Sequence, residues 1–127
     1  MSLKQIQAAT GLLFLLFVSL HLINTYLAAL GPAVYDSAQS VLRSFYHFPP
    51  VEALVLAALV VHIVVGLVRI KVEPKRVLTP RARLHRYAGF FLLVVIGGHI
   101  AAVRGPSLLL DIYPGFHGLA FSISAVP

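Results

Sequence analysis

The stretch VEALVLAALVVHIVVGLVRI, residues 51–70, decides the fold of this chain. It carries one acid at its start, Glu52, one base near its end, Arg69, and a single imidazole between them, His62. All other positions are apolar, alanine or glycine. A helix over these residues, rising about 1.5 Å per residue, reaches across a hydrocarbon core of about 30 Å. The reading is a membrane-spanning helix with a titratable group near its midplane.

Two further apolar runs flank it. One covers residues 8–30 and follows a short start holding Lys4; the other covers 87–103 and extends back through Arg83 and His85, giving a span of about 84–104. Composition agrees: of 127 residues, 59% are hydrophobic and only 11% charged. Soluble domains are nearer a quarter charged, and a soluble fold of this size could not bury so much apolar surface. The first run is longer than the apolar region of a signal peptide and is interrupted by His21 and Asn24, so it is read as a retained helix. The expected fold is therefore an all-α membrane protein, a single transmembrane bundle over residues 1–127 with three clear spans.

The formal net charge is +6. Arg69, Lys71, Lys75, Arg76, Arg81, Arg83 and Arg86 crowd between the second and third spans, as the positive-inside rule expects of a cytoplasmic loop. The basicity is topological, and nucleic acid is not an expected partner. The N-terminus is then inside, and residues 31–50 and those after Arg104 are outside, in a multi-pass protein of a bacterial-type inner membrane. Pro32, Pro49 and Pro50 bracket the first outer loop. Within it residues 34–46 mix polar and apolar side chains at helical spacing, which predicts a short helix on the outer membrane surface.

The first and third spans align without gaps. Thr10-Gly11 through His21-Leu22 matches Ala88-Gly89 through His99-Ile100, each with a glycine ten positions before the histidine. The likeness continues from Gly31-Pro32 with Asp36 to Gly105-Pro106 with Asp111. In the first copy it runs to Pro50, where the second span opens, and in the second to Pro127. The duplication implies a fourth span, lost from a fragment or supplied by a second membrane chain. Residues 108–126 are not read as that span, because Pro114-Gly115 interrupts them; they are expected to form an outer surface segment.

Three of the six histidines, His21, His62 and His99, lie within spans. A titratable group in hydrocarbon is costly, which makes each a functional candidate; the competing reading is a neutral ring bonded to a neighbouring helix. His21 lies about 13 Å below Leu30 and His99 about 8 Å below Arg104, both in the outer half, while His62 is about 16 Å below Val51. Two imidazoles at similar depth can ligate a haem iron from both faces. A porphyrin needs small neighbours, and Ser19, Gly66, Gly97 and Gly98 supply them, although such residues also allow close helix packing. Zinc or copper would want further ligands at these depths. Without cysteine there is no disulfide, iron–sulfur ligation, thiolate zinc site or Cys-x-x-Cys-His attachment for c-type haem, which leaves noncovalent haem b.

Thr10-Gly11 through Phe17 to His21-Leu22, then His62 through Gly66 to Arg69, and the opening Arg83-Leu84-His85-Arg86-Tyr87-Ala88-Gly89, resemble the membrane-anchor cytochrome b subunits of succinate dehydrogenases and fumarate reductases. The resemblance covers about 100 residues. It implies one or two haems b bound through paired histidines, electron exchange with quinone, and iron–sulfur and flavoprotein subunits docked on the cytoplasmic face. On this pattern His21 and His99 would ligate an outer haem, and His62 an inner one whose second ligand falls on the missing helix; pairing of His62 with either other span stays open.

For quinone, Glu52 is the candidate proton-moving group, and His85 with Arg86 could bind a quinone carbonyl or haem propionates. The competing readings are a helix-start carboxylate favoured by the dipole and snorkelling interfacial charges. His47 and His117 are expected to be solvated. Two alternatives remain beside the anchor subunit: a free-standing di-haem cytochrome b, and a haem-free transporter or scaffold whose histidines relay protons or pack. No hydrolytic or phosphoryl-transfer motif is present, so the chain reads as a non-catalytic electron-transfer subunit of a respiratory oxidoreductase.

Overall fold

A computed structural model describes residues 1–73 and 78–111, and among them every regular element is helical. Helix α1 covers Leu3–Tyr26 and tightens into a 3-10 turn, Leu27–Leu30; α2 covers Pro32–Tyr46, α3 Pro49–Val72 and α4 Pro80–Leu110. Three of these helices are long and apolar enough to cross a membrane. The chain is an all-α membrane protein with three candidate spans. Its contacts divide it into two units, the first holding α1, α2 and α3 and the second holding α4.

Helix α1 begins before the expected apolar run because Ser2 and Gln5 form a reciprocal cap. The Ser2 hydroxyl accepts from the Gln5 amide at 3.3 Å, and the Gln5 side chain accepts from the Ser2 amide at 2.8 Å. This start brings Gln7 into the helix. The chain leaves the 3-10 turn at Gly31, whose φ of 110° suits a residue without a Cβ. Pro32 then opens α2, its fixed φ already helical and its missing N–H one the first turn would not have used.

The amphipathic helix expected over 34–46 is α2. Tyr35 is buried and Ala38, Gln39, Leu42 and Tyr46 half-buried, a single face at i, i+3, i+4, i+7 and i+11. The Gln39 amide donates to the Tyr35 hydroxyl at 2.9 Å. Val34, Val41 and Phe45 are exposed along a neighbouring stripe. Pro49 and Pro50 do more than end the outer loop, since they occupy the first turn of α3. Glu52 also sits in that first turn and Arg69 with Lys71 in the last, each placed favourably for the helix dipole.

Helices α1 and α3 form the main packed pair and run antiparallel, joined through α2. Their polarity is inverted relative to a soluble hairpin. Gln7, Thr10, Gly11, Phe14, Phe17, His21 and Asn24 follow one protected stripe of α1, whereas Leu12, Leu16 and Leu22 are exposed. On α3 the protected positions are Val55, Ala58, His62, Gly66 and Arg69, while Leu54, Val60 and Val64 are exposed. Apolar surface outside and polar groups in the seam are what lipid as a solvent selects.

In the second unit α4 departs from the sequence expectation at its outer end. Gly105-Pro106 corresponds, with a small offset, to the helix-breaking Gly31-Pro32, yet the helix continues through Pro106 to Leu110. The break is avoided because Ser107 supports the turn that Pro106 weakens. Its hydroxyl donates to the Arg104 carbonyl at 2.9 Å and accepts from the Arg104 guanidinium. The end comes at Asp111, in the left-handed region with φ 54°, whose amide donates back to the Pro106 carbonyl. At 31 residues α4 is about 46 Å long, more than a hydrocarbon core needs. Its apolar middle is flanked by Arg81, Arg83, His85 and Arg86 at one end and Arg104 at the other. Lys75 and Arg76 of the basic loop, Pro114-Gly115, His117 and most of the expected C-terminal surface segment lie outside the described residues.

Candidate functional site

The polar seam between α1 and α3 is the best-defined candidate site. Close approach is permitted by two glycines, one on each helix. A Cβ at Gly11 would lie 2.7 Å from Cε1 and 2.9 Å from Nδ1 of His62, so the imidazole occupies the place a side chain would take. A Cβ at Gly66 would lie 3.1 Å from the Gln7 side-chain nitrogen. The His62 Nδ1 is 3.0 Å from the Gln7 carbonyl oxygen and 3.5 Å from the Thr10 hydroxyl. About two turns further along α3, the Arg69 guanidinium donates to the Gln7 side-chain carbonyl and pairs with Glu73 at 3.5 Å. Gln7 is thus held by α3 through both its main chain and its side chain.

This geometry fixes the register of the pair. With His62 level with Thr10 and Gly11, His21 lies ten residues further along α1, about 15 Å away in helix rise. In this packing His21 and His62 stand too far apart for their rings to meet at one point. The same register sets Glu52 at the depth of His21.

The outer level is aromatic. Phe17 stacks on His21 with ring centroids 5.9 Å apart and an interplanar angle of 14°, and meets Tyr46 of α2 edge-on at 5.0 Å. One turn above His21, Asn24 is only 5% exposed and its side-chain oxygen has no hydrogen-bond partner; the buried Tyr46 hydroxyl likewise has none. Burial pushes the Tyr46 phenol above its ordinary range, so the hydroxyl keeps its proton and remains a donor. An unsatisfied buried acceptor costs about 1–3 kcal/mol. Asn24→Leu is therefore expected to raise the stability of the ligand-free protein by about 1 kcal/mol, read as the thermal midpoint in detergent. An unchanged or lower midpoint would overturn the reading of Asn24 as an unsatisfied buried acceptor.

Of the remaining sequence candidates, Gly66 belongs to the seam and Ser19 does not. Ser19 is exposed, off the protected stripe, and its hydroxyl donates to the Leu15 carbonyl of its own helix at 2.8 Å. Gly66 is used for helix packing against Gln7. On α4, His99 is exposed, and a Cβ at Gly97 or Gly98 would meet no atom within 4 Å among the described residues. His85 is exposed and Arg86 half-buried near the start of the same helix. Among the described residues no three His, Asp or Glu side chains cluster as a metal-ion site; a haem asks for only one imidazole on each face.

Of the seam residues, Gln7 is not among the sequence candidates, and Thr10 and Arg69 enter there only as parts of motifs, with no role at this site. Their signal is periodic: Gln7, Thr10 and Gly11 share one helix face, as do His62, Gly66 and Arg69.

Fold and seam define a class, a multi-pass helical membrane protein with imidazoles turned inward at two depths. Comparison with protein-family models, with curated proteins and with solved structures finds no match to this chain.

Proposed function

We propose that this chain is a haem b-binding transmembrane electron-transfer subunit, the quinone-linked membrane anchor of a complex resembling succinate dehydrogenase or fumarate reductase. The observation that carries the reading is the inward placement of His21 and His62 at two levels about 15 Å apart, inside a seam surrounded by outward-facing apolar side chains. Intramembrane imidazoles are costly and are retained for a use. Bound haem would supply reversible one-electron chemistry at its iron.

The chain's own residues suit that group in three ways. His62 offers a ring whose Nδ1 is engaged by α1, as the second nitrogen of metal-binding histidines commonly is. At the outer level, the Tyr46 hydroxyl can donate to a porphyrin carboxylate or a quinone carbonyl, and Asn24 can accept from a hydroquinone hydroxyl. Glu52, at the depth of His21, is the carboxylate able to take a proton on that side. From their depths in the sequence, His21 and His99 are assigned to one outer haem and His62 to an inner one. The basic loop and the Arg81–Arg86 start of α4 are assigned to docking iron–sulfur and flavoprotein subunits on the cytoplasmic side.

One observation favours a second reading. The bond from His62 to the Gln7 carbonyl is also what a packing histidine makes, and it suits a haem-free transporter or scaffold. The two readings part on colour. Protein purified in detergent, with porphyrin supply ensured during expression, is expected to show sharp b-type bands in a reduced-minus-oxidised spectrum. A colourless preparation overturns the haem reading.

A further inference from the structure

We propose that Gln7, Thr10 and Gly11 of α1 are positioning residues that hold His62 as a single tautomer, with its proton on Nδ1 and its lone pair on Nε2. The role of that lone pair as an iron ligand rests on the function proposed above; the tautomer itself does not.

The assignment follows from what the neighbours can give. A main-chain carbonyl only accepts, so the 3.0 Å contact with Gln7 is a hydrogen bond only if Nδ1 donates. Thr10 does not supply that proton, because its hydroxyl donates to main-chain carbonyls of its own helix, Ile6 at 2.8 Å and Gln7 at 3.3 Å. What it turns toward Nδ1, at 3.5 Å, is a lone pair. Both groups facing Nδ1 are therefore acceptors, and a neutral ring that satisfies them leaves Nε2 unprotonated.

The cradle is steric as well as polar. At Gly11 even a methyl group would collide with Cε1 and Nδ1, the edge that carries the bond. Gln7 in turn is anchored by Arg69, which Glu73 holds from one turn below, so the accepting carbonyl cannot swing away without breaking the ion-paired end of α3.

The test starts from the full chain, expressed without haem supply, labelled with nitrogen-15 in histidine and held in detergent. His62, assigned by its loss in His62→Ala, is expected to show a protonated Nδ1 and an unprotonated Nε2. The reverse pattern, or an even mixture, overturns the proposal with no variant needed. Gly11→Ala is expected to shift the ring to a mixture, whereas Gly89→Ala, whose added Cβ meets nothing within 4 Å, leaves it unchanged.

In haem-loaded protein the same Gly11→Ala change is expected to weaken retention of the His62-dependent haem by about 10- to 100-fold and to shift its midpoint potential, as loss of a ligand's supporting contacts does. Should Gly11→Ala not fold, Thr10→Val removes one acceptor while keeping the glycine, and a loss of tautomer purity is again expected. Normal nitrogen spectra and potentials in both variants would overturn the positioning role. A wild-type protein with the expected tautomer but no haem colour would instead overturn the haem reading alone.

Discussion

On the haem assignment proposed above, replacing His62 with Ala is expected to abolish one b-type haem signal completely while leaving a second one in place, and His21→Ala or His99→Ala to abolish that second signal. The separation follows from the α1–α3 register. Gln7, Thr10 and Gly11 fix His62 at the inner level, so His21 stands about 15 Å higher, far beyond the reach of one iron. These imidazoles would be the residues that hold a noncovalent haem, so their loss should make the effect on occupancy near total. The readout is the reduced-minus-oxidised spectrum of each purified variant, with haem quantified per chain. Equal loss of all colour in every variant would join the three histidines to one site and contradict the two-level reading.

The second large effect is expected at Ala58, which is 5% exposed in the seam and level with Phe14 across the antiparallel pair. Ala58→Phe forces a ring between helices that approach closely, and overpacking of this kind costs about 1–3 kcal/mol. Its neighbour Ala57 faces outward, so Ala57→Phe adds apolar surface toward lipid and should change little. Unfolding of both variants by sodium dodecyl sulfate in mixed micelles, followed by helical circular dichroism, measures the difference. Equal midpoints would mean that α1 and α3 do not pack as described. The expected loss at Ala58 should also loosen His62, one turn further along the same face.

The three candidate spans and the amphipathic helix α2 are legible in the sequence because each is a local pattern: apolar length for the spans, a helical period of polar and apolar residues for α2. The ends were less legible. Gly31-Pro32 and Gly105-Pro106 are the same dipeptide, matched in the repeat with a small offset, but only the first breaks its helix; at the second, Ser107 bridges back to Arg104. The candidate site was legible as residue types and not as partners. His62 stands out in an apolar run, whereas Gln7 precedes the apolar stretch that marks the first span. Its importance depends on a capped helix start and on which turn of α3 it meets. Gly11 is visible in the sequence as one half of a repeat; that an imidazole fills its missing side chain depends on the pairing of distant helices, which no local pattern encodes.

The clasp at the inner end of the hairpin has a mechanical consequence. Sliding α1 against α3 by one helical turn, about 5.4 Å, would pull the guanidinium of Arg69 and the ring of His62 off their acceptors together. The two helices are in effect pinned like a ruler at its zero mark, and the vertical gap between the imidazoles is set by that pin rather than by membrane thickness. An electron hopping between groups held at those two marks would meet the same distance in a thin bilayer as in a thick one.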